Sequence, residues 1–170
     1  MKVINLFAGP GSGKSTTCAG VFSKLKLAEV NCEMALEYAK DKVWEQSFHT
    51  LDNQIYIFGK QLHRLWRLKD QVDVVITDSP LLFSIIYDKT CNEKFRALVL
   101  DQFNQFENIN YFITRGNTYN PKGRMQTLEE SMDLDCKIAS LLESNSIPFS
   151  FINKIDAVDI ICENTLKFDL

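Results

Sequence analysis

Histidine is scarce in this sequence, two residues in 170, and its five cysteines include no C-x-x-C pair and no histidine neighbour at metal-ligand spacing. Neither a zinc site nor a disulfide framework is signalled, so Cys18, Cys32, Cys91, Cys136 and Cys162 read as buried thiols of a reducing compartment. Long apolar runs are missing too. Nothing approaches the about 20 apolar residues that a bilayer-spanning helix needs, and no charged stretch leads into an apolar segment with a small-residue cleavage site. A cytoplasmic protein without membrane contact is expected. There is also no excess of one charge: 19 basic residues face 22 acidic ones. That balance argues against holding nucleic acid by bulk electrostatics while leaving room for a local basic groove. Repeats, low-complexity tracts and an interdomain linker are absent as well, so one domain over residues 1–170 is expected.

What is present is core material, 45% hydrophobic residues including 12 Phe, arranged as strands alternating with helices. Residues 3–8 form a mostly apolar run ending in a glycine cluster, as a buried parallel strand leading into a loop should. A helix over 14–26 follows, then a weaker strand over 30–36. Within 51–69 the positions Ile55, Phe58, Leu62, Leu65 and Trp66 recur at three- and four-residue spacing and predict the inward face of an amphipathic helix, with Lys60, Arg64 and Arg67 opposite. Residues 72–77 are the strongest strand and stop at Asp78-Ser79-Pro80. Phe95, Leu98, Val99, Gln102, Phe103 and Phe106 trace another helix before a strand over 109–114. A Gly- and Pro-containing polar loop over 115–124, a helix over 128–144 and a strand over 147–152 close the pattern. Such alternation predicts an α/β fold, a roughly five-stranded parallel sheet between two helical layers.

The glycine cluster carries the chemistry. Ala8-Gly9-Pro10-Gly11-Ser12-Gly13-Lys14-Ser15 fits G-x-x-x-x-G-K-[ST], with alanine for the first glycine, and so reads as a P-loop. Glycines let the backbone turn its N–H groups around phosphates, Lys14 can reach the β- and γ-phosphates, and the Ser15 hydroxyl can hold magnesium. Gly9, Pro10, Gly11, Ser12, Gly13, Lys14, Ser15 and Thr16 are thus the expected nucleotide-binding residues, with ATP and Mg2+ as cofactors. The following helix aims its positive end at the same anion. A dinucleotide fingerprint fails, because Lys14 stands where G-x-G-x-x-G needs its last glycine. Asp78, ending an apolar strand, is the expected second magnesium-side group.

A P-loop alone specifies binding, since kinases, motors and switches share it. Asn153-Lys154-Ile155-Asp156 matches the guanine-reading N-K-x-D of GTPases, but no D-x-x-G follows Asp78. The chain is short for a motor ATPase with its additional domains, so its size favours a kinase. Phosphoryl transfer also calls for neutralising charge and for exclusion of water, and the loop supplies Arg115, Lys122 and Arg124 where a lid over about 115–126 belongs.

The order of elements looks like that of P-loop nucleoside and nucleotide kinases. It most resembles bacterial ribosylnicotinamide kinase domains and small phage P-loop kinases described as ATPases. The resemblance covers nearly the whole chain and rests on Gly9 to Ser15, on Leu36-Glu37-Tyr38-Ala39-Lys40-Asp41 after the second strand, on Ile76-Thr77-Asp78, and on a lid with Arg124 before a long helix. It implies a three-layer P-loop fold with a short arginine-bearing lid, a small nucleoside or nucleotide acceptor, and for a phage protein a place in the host cytoplasm. It also implies a hydroxyl acceptor oriented and deprotonated by a carboxylate. Glu37 is the first choice and Asp41 the second, with Trp44 as the aromatic residue that follows. A monophosphate acceptor would instead draw on Arg64 and Arg67, and Gln61 or His63 beside them could read a base. Three further options stay open: a polynucleotide or modified base in DNA as acceptor, which the net charge disfavours, a non-catalytic ATP sensor, and a homodimer.

Overall fold

The computed structural model describes residues 1–115 and 127–168. Arg124, Lys122 and most of the expected lid lie outside the described residues. Five strands form one sheet: β1 (Lys2–Phe7), β2 (Cys32–Ala35), β3 (Val74–Thr77), β4 (Glu107–Thr114) and β5 (Ser150–Asn153). Their spatial order is β2-β3-β1-β4-β5, and every pairing is parallel. The parallel α/β sheet expected from the alternation is therefore what the chain builds. Its central strands are buried on both faces, as Val3, Ile4, Leu6 and Phe7 in β1 and Val74, Val75 and Ile76 in β3 show, which is why they read as continuous apolar runs. One polar residue interrupts β1. Asn5 donates to the Oδ1 atoms of Asn108 (2.9 Å) and Asn110 (3.0 Å) and so links β1 to β4 through side chains.

The connecting helices are α1 (Lys14–Leu27), α2 (Tyr38–Trp44), a 3-10 helix (Phe48–Asp52), α3 (Gln54–Trp66), α4 (Phe83–Tyr87), α5 (Glu93–Asn104), α6 (Leu128–Ser144) and α7 (Ala157–Thr165). On one face of the sheet α1 packs against α7; α4 contacts α3, α5 and α6 on the other, as right-handed crossovers from this strand order require. The sheet reverses its direction of winding at β1, so the carboxyl ends of β1 and β3 open onto a crevice where ligands bind in such folds.

Several expectations are corrected. The inward residues of α3 are Gln54, Ile57, Phe58, Gln61 and Leu65, whereas Ile55 and Trp66, expected inside, are each 64% exposed. The helix is rotated from its apolar phase because two glutamines turn inward; Gln61 there accepts the Tyr38 N–H at 3.0 Å. Cys91 and Cys136 are exposed rather than buried. Strands β2, β3 and β5 are shorter than expected, and α2, α4 and α7 were not anticipated.

Candidate active site

The loop between β1 and α1 has the backbone that phosphate binding needs. Gly11 (φ 84°) and Gly13 (φ 104°) occupy the left-handed region, and at Gly13, the residue capping α1, no side chain satisfies the first helical N–H groups. Those amides and the helix dipole are left to an anion. Lys14 donates from Nζ to the carbonyls of Ala8 (2.7 Å) and Gly9 (3.0 Å), bracing the loop from within. Burial lowers the Lys14 pKa, and the charges of Glu37 and Asp78 partly offset that.

Two further groups converge on this loop from neighbouring strand ends, Glu37 after β2 and Asp78 after β3. Ser15 Oγ donates to Asp78 Oδ2 at 2.5 Å, and the Glu37 backbone N–H donates to Asp78 Oδ1 at 3.1 Å. Buried Asp78 thus ties the P-loop to the end of β2. A serine hydroxyl and a carboxylate in contact are hard oxygen donors of the kind magnesium takes. No cluster of three or more His, Cys, Asp or Glu residues able to hold a metal exists among the described residues. Glu37 points its chemistry into the same space. Withdrawal from water raises its pKa, Lys14 pulls the value down, and Asp78 adds to the rise.

Beside the loop lies a cavity of about 490 Å³ lined by Pro10, Lys14 and Ser15 of the loop, by Glu37, and by the aromatic residues Trp44, Phe48, Phe83 and Tyr87, with the Lys14 ammonium 5.6 Å from the centre of the Phe83 ring. Thr16, Gly11 and Gly13 also line it. This volume falls in the range of small-molecule sites, and its apolar and aromatic walls suit a flat ring. Asp52 and Lys89 form a salt bridge of 2.6 Å at its edge. A small cavity of about 30 Å³ shares Glu37, Gln54, Phe83 and Tyr87 with the larger one and adds Gln61. The Gln61 Nε2 is buried and has no hydrogen-bond partner among the described residues. Burial and the Glu37 charge raise the Tyr87 pKa, which keeps its hydroxyl protonated.

Arg115 has different partners from those expected of a lid residue. Its guanidinium donates to Asp135 Oδ2 (2.5 Å), the Pro10 carbonyl (2.6 Å) and both oxygens of Ser131. Asp135 also accepts the Gly9 N–H at 2.5 Å. The result is a clamp from α6 onto the outer side of the P-loop, and it leaves Gly9 no room for a side chain: a Cβ there would lie 2.4 Å from the Ser131 carbonyl oxygen. Asp41 and Arg64 are not in the cavity wall. Arg64 pairs with Asp41 and donates to the Leu36 carbonyl at 2.8 Å. Arg67 and His63 are exposed on α3. The stem of Lys154 flanks the P-loop, 3.7 Å from where a Gly13 Cβ would be. Sequence reasoning missed Asp135, Phe48, Phe83, Tyr87, Asp52 and Lys89; none of them stands in a recognisable motif.

A profile of the family described as AAA domain matches residues 3–159. Among solved structures, NadR protein in complex with NR aligns with a TM-score of 0.76 and 16% identity, covering 98% of this chain and 52% of that one. The chain therefore spans about half the length of NadR. Deoxyadenosine kinase from M. mycoides, with products dCMP and a flexible dCDP bound, aligns with a TM-score of 0.58 and 17% identity over 99% of this chain and 100% of that one. Shikimate kinase from Aquifex aeolicus vf5 gives a TM-score of 0.51 and 15% identity over 98% and 94%. No curated protein matches the chain. At these identities the structural likeness is one of fold.

Proposed function

The chain belongs to the AAA domain family, and from that premise we propose that it is a single-domain, magnesium-dependent P-loop kinase moving the γ-phosphoryl group of ATP to a hydroxyl of a nucleoside-like small molecule. The observation that carries this reading is Glu37, a carboxylate of raised pKa that lines the same cavity as Lys14 and the four aromatic side chains. The neighbours named for kinases, and for NR or deoxynucleotides in their sites, support the same class of acceptor.

The P-loop amides and Lys14 hold the donor's phosphates, and Ser15 with Asp78 would hold magnesium. Bound there, the ion would neutralise charge on the β- and γ-phosphate oxygens. The acceptor ring lies among Trp44, Phe48, Phe83 and Tyr87 with its hydroxyl toward Glu37, and Gln61 Nε2 is free to meet a polar edge of the ring. Glu37 takes the hydroxyl proton as the acceptor oxygen bonds to the γ-phosphorus. The bond from that phosphorus to the bridging oxygen breaks, and ADP leaves with the electron pair. A hydroxyl acceptor is favoured by Glu37 in the cavity wall, because a base there has a hydroxyl proton to take. Arg115 holds the loop in shape through Asp135, Ser131 and the Pro10 carbonyl.

The test is a panel of nucleosides, nucleotides and oligonucleotides incubated with γ-labelled ATP. Label should move to at least one acceptor with the wild-type protein, and Lys14→Ala should lose nucleotide binding and transfer together. Nucleotide binding by wild type with no labelled acceptor anywhere in the panel would favour an ATP sensor.

A further inference from the structure

The outward face of α3 is made of side chains that a solvated helix has little use for. Tyr56, Lys60, His63, Trp66 and Arg67 are all exposed and follow one another at helical spacing. His63 and Trp66 stack, with ring centroids 6.1 Å apart and planes 24° from parallel. Lys60 lies 5.4 Å over the Tyr56 ring. Between them Gly59 leaves a notch, since a Cβ there would meet nothing within 4 Å. From 53 to 69 the sequence has Lys60, Arg64, Arg67 and Lys69 and no carboxylate, in a chain whose net charge is −3. The face adjoins α2, whose last residue lines the cavity. Tyr56 and Tyr38 share a 2.9 Å hydroxyl contact that joins α3 to α2, and α2 ends in Trp44, which is 70% exposed while lining the cavity, next to Phe48 at 48%.

We propose that this face binds single-stranded DNA, so that the cavity can take its acceptor nucleoside as one unit of a strand as well as free. Rings interleaved with cations are the surface single strands use: bases stack on the rings whatever their sequence, and phosphates pair with the cations. Trp66, His63 and Tyr56 supply the stacking surfaces and Lys60 and Arg67 the charges, while the Gly59 notch lets the strand approach the helix backbone. Lys60 and Arg67 present exposed positive charge to a polyanion, while Arg64 is already paired with Asp41. The outward residues include no carboxylate or side-chain amide that would select for a 2′-hydroxyl, so the face is not expected to favour RNA over DNA. The link from this face to phosphoryl transfer rests on the kinase reading; binding to the face does not.

The experiment is fluorescence anisotropy with a short fluorescein-labelled oligothymidylate, without nucleotide and across a salt titration. Wild type should bind with an affinity that falls as salt rises. Trp66→Ala should weaken binding about tenfold, with Trp66→Phe retaining most of it. Lys60→Ala and Arg67→Ala should each flatten the log–log salt slope by about 0.7. Transfer to a free nucleoside should stay at the wild-type rate in Trp66→Ala, which separates failure of the DNA face from failure of the kinase reading. Oligonucleotide binding unchanged by Trp66→Ala, binding insensitive to salt, or tighter binding to the matching RNA would each overturn the proposal.

Discussion

Glu37 and Lys14 hold opposite charges in one partly dry site, and their pKa values are displaced toward each other. Burial raises that of Glu37 and lowers that of Lys14. A general base works only when ionised, so activity should be low below the raised Glu37 pKa and should climb as pH rises through it. The acid limb then lies above the ordinary carboxylate value of about 4.3, and the alkaline limb, where Lys14 loses its proton, below the ordinary lysine value of about 10.4. A pH profile of kcat/KM reads both limbs, and Glu37→Gln should remove the acid one along with most of the rate. A profile flat from the ordinary carboxylate range upward would contradict the role given to Glu37. At this scale the P-loop residues were legible because each has a fixed place in a motif. Gln61 was named for its neighbours in sequence, yet its burial could not be read from a helix whose apolar phase pointed elsewhere.

The element with most leverage on the P-loop is α6. Its boundaries, Leu128–Ser144, were read correctly from periodicity, and a capping box of Thr127 with Glu130 explains the start. Its purpose was not legible. Asp135 and Ser131 lie on one helical turn and meet Arg115 and the backbone of Gly9 and Pro10; the contacts to Gly9 and Pro10 cross more than a hundred residues, which no local pattern encodes. Asp135→Ala removes an acceptor from both the Gly9 amide and the Arg115 guanidinium. The expected cost is about 1–2 kcal/mol, reduced from a fully buried charged bond because both partners keep some solvent contact. Denaturant unfolding checks that loss, and isothermal titration should show weaker nucleotide binding with it. A variant as stable as wild type with unchanged affinity would show that the clamp is incidental. The same limit of local pattern explains α3: hydrophobic spacing predicted Ile55 and Trp66 inside, while the cavity recruited Gln54 and Gln61 in their place.

For the whole molecule, the alternation of strands and helices was enough to predict a parallel sheet between helical layers. The order β2-β3-β1-β4-β5 was not written in it, because order depends on which crossover covers which face. That order brings the ends of β1, β2 and β3 together, and with them Lys14, Glu37 and Asp78, residues far apart in sequence. Whether the convergence transfers phosphate or only holds it is decided by one measurement: the ratio of ADP to phosphorylated acceptor formed by the wild-type protein in the nucleoside and oligonucleotide panel. The account predicts one phosphorylated acceptor for each ADP with the preferred substrate. ADP matched only by inorganic phosphate, whatever acceptor is supplied, would contradict it.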